Sequence, residues 1–103
     1  MNNFYDIMKK ESLNKMQINL FKGEDNYVYT YQYSAYYASK IFPDAQCFSL
    51  NIDGVCVVAC CQICCDYSVL LLENLRVDRE VNEDTFLSWC KSLPNKNISQ
   101  IHL

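Results

Sequence analysis

The sequence predicts one α+β domain in which two or three helices accompany a mainly antiparallel sheet. Three observations predict this class: a D-G turn between two apolar runs, a leucine-rich run directly after them, and a capped segment with helical spacing near the end. The 103 residues are enough for one hydrophobic core and too few for two. Residues 1–103 are therefore expected to form a single domain.

The first part of the chain is expected to form a helix, a hairpin and a second helix. Apolar spacing at the start predicts a short helix from Phe4 to about Met16. The run QINLF, the turn-like residues 22–25 and the run NYVYTYQYS then predict two paired strands. Helical spacing takes over late in the second strand, so the chain is expected to enter a helix near Ser34 that stops before Pro43.

The middle of the chain is expected to form the core sheet. The runs CFSLNI and VCVVACCQICC are joined by Asp53-Gly54, a pair that supplies the positive φ values of a two-residue hairpin turn. The run from Tyr67 to Val77 is apolar on both faces, which indicates a central strand. Together the three strands are expected to form a meander.

The last helix has a defined start, face and end. The side chain of Asn82 can accept an early backbone N–H, and acidic residues in the first turn complement the positive end of the helix dipole. Four residues with helical spacing follow: Phe86, Trp89, Cys90 and Leu93. Pro94 ends the pattern. The final residues, ISQIHL, are expected to add a short strand at an edge of the sheet.

The charge balance favours a protein as partner. Twelve acidic and nine basic residues give a net charge of -3 and a pI of about 4.9, which leaves little positive field for nucleic acid or an anionic membrane. We therefore expect neither of these partners. Another protein with a basic surface is the most compatible one, although the same charge also favours solubility. The N-terminus lacks a secretory pattern and the longest apolar stretch is too short to span a bilayer, so a cytoplasmic location is expected.

The seven cysteines are expected to be reduced, buried thiols, because cytoplasmic proteins rarely keep disulfides. Cys61 and Cys64 form a CxxC, but no second pair completes a zinc site, and strand alternation separates them across two faces. The only histidine is His102, and a Cys/His site pairing it with Cys90 is not expected so close to the C-terminus. No glycine-rich phosphate loop is present. No catalytic residue, metal or cofactor is therefore expected.

Two groups of residues are candidates for binding a partner. Tyrosine recurs at every second position of one predicted strand, and this row consists of Tyr27, Tyr29, Tyr31 and Tyr33. Such rows are typical of protein interfaces, but the other interpretation, which the pattern favours, is that the row packs under the N-terminal helix with its hydroxyls at the rim. Both interpretations stay open. The acidic residues Glu80, Glu83 and Asp84 would suit a basic partner, and their other interpretation is a polar loop and a helix cap.

The order of segments resembles the GCN5-related N-acetyltransferase fold. QINLFKGED is similar to the opening strand and acidic turn of that family, FPDAQCFSLNIDGVCVVACCQI to its second and third strands, and SVLLLENLRV to its fourth strand. The resemblance implies an acetyl-CoA site in the loop before the main helix. Here that loop reads DREVNED, without the glycines of the family and with carboxylates where the pyrophosphate would lie. No catalytic residue carries over.

A second resemblance is to type III secretion chaperones, which show a strand, a D-G turn, a strand, a leucine-rich strand and a helix. CFSLNIDGVCVVACC, SVLLLENL and FLSWCKSLPNKN carry this resemblance. It implies a dimeric module that binds an unfolded protein.

These observations predict a non-enzymatic protein-binding module that acts by occupying a partner protein, as a small acidic inhibitor, immunity protein or chaperone does. The alternative is a degenerate or oligomer-completed acetyltransferase-like protein. A homodimer formed through a strand edge at ISQIHL or NYVYTYQYS is a further possibility.

Overall fold

The computed structural model describes residues 4–14, 16–22, 27–52, 56–64 and 75–97. In chain order the described elements are α1 (Phe4–Ser12), β1 (Gln17–Ile18), β2 (Phe21–Lys22), β3 (Tyr27–Tyr31), α2 (Gln32–Ile41), β4 (Gln46–Ile52), β5 (Cys56–Cys64), β6 (Leu75–Arg76), α3 (Glu83–Lys91) and β7 (Asn95–Asn97). These helices and a largely antiparallel sheet confirm the α+β class. Within these ranges, no helix has the length and apolar character needed to cross a membrane.

The main sheet has five strands in the order β2-β3-β5-β4-β7. Neighbouring strands run antiparallel, except that β7 runs parallel to β4. β1 and β6 form a separate two-stranded sheet. β5 lies at the centre because its apolar side chains are buried on both faces. Those at most 3% exposed are Val58, Ala59, Cys60, Cys61 and Ile63.

Both predicted hairpins are present, and the residues of their turns lie outside the described ranges. β4 and β5 pair along their whole described length, up to Ile52 opposite Cys56. β2 pairs with β3, with Lys22 opposite Val28. Local sequence patterns therefore predicted both strand pairs.

The second neighbour of β5 differs from the expected meander. The sequence placed the leucine-rich run Tyr67–Val77 beside β5, whereas β3 occupies that side, with Tyr31 opposite Cys60. Residues 65–74 lie outside the described ranges, and the end of the run, β6, pairs with β1. β3 fits beside β5 because it too buries side chains on both faces. The strand expected at ISQIHL also lies outside the described residues.

The helices follow the predicted order with shifted ends. α1 ends at Ser12, earlier than expected, and α2 begins at Gln32 and stops before Pro43. The predicted cap of α3 is confirmed, since the Asn82 side chain accepts a hydrogen bond from the Thr85 backbone N–H at 2.8 Å. The predicted face of α3 is confirmed for Phe86, which is buried, and for Trp89 and Cys90, which are half-buried. Leu93 lies beyond the end of the helix at Lys91.

The core has two parts, one on each face of the main sheet. One part contains Ile18, Val28, Ala35, Tyr37, Ala38, Cys61 and Ile63. The other contains Ile7, Tyr29, Tyr31, Phe48, Leu50, Val58 and Cys60. Successive residues of a strand point to opposite faces, which is why neighbours such as Cys60 and Cys61 belong to different parts. α2 covers the first face, and α1 contributes to the second.

The prediction that all seven cysteines are reduced is wrong for two of them, because Cys47 and Cys61 form a disulfide. The register of β4 and β5 places them directly opposite each other, with their Cα atoms 4.2 Å apart, so that both side chains emerge on the same face. Cys60 is a buried free thiol, as expected, and Cys90 is half-buried. Cys64 is exposed, contrary to the expectation of burial.

Candidate functional site

The structure divides the predicted tyrosine row between core and surface. Tyr29 and Tyr31 are each 1% exposed and belong to the core. Tyr27, at the start of β3, is 38% exposed. Tyr33 is half-buried and lies in the first turn of α2, beyond the end of the strand. The four side chains therefore form no common surface.

The three predicted acidic residues are all exposed near the start of α3. Glu83 and Asp84 lie in its first turn, and Glu80 lies in the loop before it. This loop is held against α2 because the Val81 backbone N–H donates a hydrogen bond to the Tyr37 hydroxyl oxygen at 3.1 Å. The acidic residues thus have a fixed position relative to α2.

A cleft of about 910 Å³ brings some of these residues together. It lies between the end of α1, the start of α2 and the start of α3. Its lining consists of Met8, Glu11, Ser12, Asn14, Gln32, Tyr33, Val58, Glu80, Val81, Asn82, Glu83 and Phe86. Tyr33, Glu80 and Glu83 belong to this acidic cleft, whereas Tyr27, Tyr29, Tyr31 and Asp84 are not part of its lining.

Glu11 is the buried acidic residue of the cleft, with an exposure of 5%. The Ser34 hydroxyl lies 2.9 Å from its Oε1 and 3.0 Å from its Oε2. The Asn14 side-chain amide donates to Oε1 at 3.1 Å, and the Asn19 side-chain amide donates to Oε2. The Ser34 backbone N–H lies 3.4 Å from Oε1. This network joins α1 and the segment after it to α2.

The environment of Glu11 does not favour its negative charge. Burial raises its pKa, and the hydrogen bonds from Asn19, Asn14 and Ser34 offset only part of that increase. All of these donors are neutral groups. Within the described ranges, the lining of the cleft contains three carboxylates and no lysine, arginine or histidine.

Gln32 shapes the wall of the cleft through an unusual backbone. Its φ of 55° is the only positive value among the described non-glycine residues, and this conformation costs energy for a residue with a Cβ atom. Its side-chain oxygen accepts a hydrogen bond from the Ala59 backbone N–H at 3.0 Å. The bond ties the start of α2 to β5, and the change in chain direction places Tyr33 at the cleft.

An aromatic pair forms part of the wall of the cleft. The rings of Tyr33 and Phe86 have centroids 4.4 Å apart, and the Phe86 ring also contacts that of Trp89 at 6.1 Å. Burial raises the pKa of the Tyr33 hydroxyl, and the carboxylates of Glu83 and Glu80 raise it further. The negative field of the acidic loop therefore reaches the aromatic wall.

The chemistry of the cleft suits the binding of a positively charged group. It combines a buried carboxylate, exposed carboxylates and aromatic rings, which are the groups that attract cations in proteins. Cys90 is not part of the lining, and burial raises its thiol pKa. In the part of the chain that the structure describes, no group of three or more His, Cys, Asp and Glu side chains could hold a metal ion. His102 lies outside the described residues.

Three residues of the cleft were not predicted from the sequence as site residues: Glu11, Asn14 and Gln32. One signal could have identified Glu11, because it follows Ile7 by four residues and therefore lies on the apolar face of α1. A carboxylate on an apolar helix face is unusual. The positive φ of Gln32 has no such signal, since glutamine is not typical of that conformation.

No protein-family model, curated protein or solved structure matches this chain. Its function is therefore inferred from the geometry of the acidic cleft.

Proposed function

We propose that this protein is a non-enzymatic protein-binding module that acts by occupying a partner with a basic surface. The acidic cleft is the observation that carries the proposal. Small inhibitors, immunity proteins and chaperones act in this way, by covering a surface of another protein.

The cleft has the size and construction of a binding site. Its volume of about 910 Å³ lies in the range of clefts that enclose a ligand. Its residues belong to three helices, one strand and the loops beside them. Hydrogen bonds of Tyr37, Gln32 and Glu11 join α2 to the loop before α3, to β5 and to α1. A site on such a frame is already ordered before the partner arrives, which lowers the entropic cost of binding.

The charges of the cleft favour a basic partner. Glu80 and Glu83 are exposed, so they can pair with lysine or arginine side chains without a large cost of desolvation. The net charge of -3 adds attraction at longer range, which mainly accelerates association. Asp84 lies in the same helix turn as Glu83 but does not line the cleft, so it is not assigned a contact with the partner.

The same charges oppose the alternative function. A degenerate acetyltransferase would need to hold the pyrophosphate of acetyl-CoA near the start of α3, where Glu80 and Glu83 repel it. Calorimetry with acetyl-CoA tests this alternative directly. Heat of binding at micromolar affinity would support it over the proposal.

The proposal is tested by affinity capture from the native host with three immobilised proteins. These are the unchanged chain, the double variant Glu80→Gln/Glu83→Gln and the control Asp84→Asn. The control removes an exposed carboxylate of the same helix turn that does not line the cleft. We expect a basic protein to bind the unchanged chain and the control, and to bind the double variant at least tenfold less.

Two further measurements complete the test. Thermal unfolding of the three proteins should agree closely, because exposed substitutions usually change stability by about 0.5 kcal/mol or less. Raising the salt concentration should weaken capture, because exposed charges are screened. Capture that survives the double substitution, or no specific capture by the unchanged chain, would contradict the proposal.

A further inference from the structure

We propose that the acidic cleft receives an arginine side chain of the partner, with the guanidinium between the exposed carboxylates and the Tyr33–Phe86 ring pair. This inference rests on the proposed function and specifies the group that the cleft recognises. Three properties of the cleft support it, and each belongs to different residues.

The first property is the buried carboxylate of Glu11. Among the described residues that line the cleft, none is a lysine, arginine or histidine that could balance its charge. Glu11 is 5% exposed and lines the cleft, and the groups that donate hydrogen bonds to it are all neutral. A carboxylate in such surroundings keeps a negative potential that neutral donors do not cancel. A cation in the cleft would reduce this unfavourable charge through its field.

The second property is the aromatic wall. The Tyr33 and Phe86 rings pack against each other with their centroids 4.4 Å apart. Phe86 is buried and Tyr33 is half-buried, so the accessible part of this wall belongs mainly to the Tyr33 ring. A planar guanidinium stacks on aromatic faces, whereas the compact ammonium of lysine does not stack. The wall therefore favours arginine over lysine.

The third property is the pair of carboxylates at the entrance. Glu80 and Glu83 are exposed and line the same cleft. The fork of N–H donors in a guanidinium matches carboxylate oxygens and forms two parallel hydrogen bonds with a single carboxylate. A cleft of about 910 Å³ holds the side chain together with adjoining backbone, as a peptide segment requires.

The test uses N-acetyl-arginine amide as the probe, because its only charge is the guanidinium. The isotopically labelled full chain is titrated with this probe and followed by NMR. N-acetyl-citrulline amide, which has the same shape without the charge, and N-acetyl-lysine amide serve as comparisons. A ligand of this size should bind with a dissociation constant on the order of 1 mM, and resonances of Tyr33, Glu83 and Phe86 should shift.

We expect citrulline to bind at least tenfold more weakly than arginine, and lysine severalfold more weakly. The variant Glu80→Gln/Glu83→Gln should lose most of the affinity for arginine, while Asp84→Asn should keep it. Equal binding of citrulline would show that charge is not recognised, and equal binding of lysine would show that the rings do not select arginine. Shifts confined to residues outside the cleft would also overturn the inference.

The outcome separates this inference from the proposed function. If the arginine probe fails to bind while capture of a basic protein still depends on Glu80 and Glu83, only the assignment of arginine is wrong. If the probe binds in the cleft and no protein is captured, the arginine site stands and the proposed function is wrong.

Discussion

Replacing Ser34 by alanine should strongly destabilise the protein, because the Ser34 hydroxyl is the centre of the Glu11 network. The residue is fully buried. Its oxygen lies 2.9 Å from the backbone nitrogen of Asn19 and 3.0 Å from the side-chain nitrogen of Asn14, both of which donate to it. Its single hydrogen is directed at Glu11 or at the Gln17 carbonyl oxygen. The hydroxyl therefore uses its one donor and both acceptor sites.

The magnitude follows from the groups that alanine would leave without partners. The buried Asn19 N–H would lose this acceptor, at a cost of about 1–3 kcal/mol, and the bond to the Glu11 carboxylate is worth about 1.5–3 kcal/mol. These contributions belong to one network and do not add fully, so we expect a loss of about 3–5 kcal/mol. A domain of this length has an unfolding free energy of about 5–15 kcal/mol. The substitution should thus remove at least about a fifth of it.

Urea denaturation followed by circular dichroism measures this loss, provided that the slope with denaturant stays constant. Ser39→Ala is the matched control, because Ser39 lies on the same helix and its hydroxyl donates only to the carbonyl of Tyr36 one turn earlier. Alanine has the higher helix propensity, so the control should change stability by about 0.5 kcal/mol or less. A loss for Ser34→Ala within about 1 kcal/mol of the control would refute the importance of the network.

Three more predictions concern other parts of the fold. The Cys47–Cys61 disulfide spans 14 residues of sequence, so reduction should lower the unfolding free energy by about 3 kcal/mol. The Cys47→Ala/Cys61→Ala variant should not respond to a reductant in urea titrations. An equal response of the variant and the unchanged chain would contradict the presence of the disulfide. Burial raises the pKa of Glu11, so its favourable contribution is complete below the ordinary carboxyl pKa and is lost as the pH rises through the raised value. The stability of the unchanged chain relative to Glu11→Gln should therefore fall with rising pH, by at most about 1.4 kcal/mol per pH unit, and a constant difference between the two urea midpoints would show that the proton affinity of Glu11 is not perturbed. Gln32→Gly should be more stable than Gln32→Ala by about 1 kcal/mol, because both variants lose the bond to Ala59 and only glycine adopts the positive φ without strain. A higher unfolding free energy for Gln32→Ala in urea denaturation would count against that strain.

The parts of the fold that were predictable have local causes. The β4–β5 hairpin follows from a D-G turn between two apolar runs, and α3 follows from a cap at Asn82 and an apolar face within a few residues. The position of β3 beside β5 has no local signal. The apolar character of β5 on both faces indicates a central strand, but it does not identify the neighbouring strands.

The candidate site was predictable in part, for reasons that differ between residues. Alternation correctly placed Tyr29 and Tyr31 on a strand, but alternation is the same whether that face lies in the core or in solvent. The disulfide depends on strand register, which places Cys47 opposite Cys61. The expected cellular compartment, from which reduced thiols were predicted, carries no information on that register. Glu80 and Glu83 were predicted as surface residues, and the structure adds that they share a cleft with Glu11.

The junction between β3 and α2 links stability to the shape of the cleft. Three consecutive residues have separate roles there: Gln32 turns the chain, Tyr33 forms the aromatic wall and Ser34 holds Glu11. Because this junction follows directly from the core strand that contains Tyr31, a core substitution would displace the cleft and lower stability together. Exposed cleft residues such as Glu80 can change without this effect. Loss of binding at constant stability is therefore the property that distinguishes a contact residue of this cleft from a residue that only supports it.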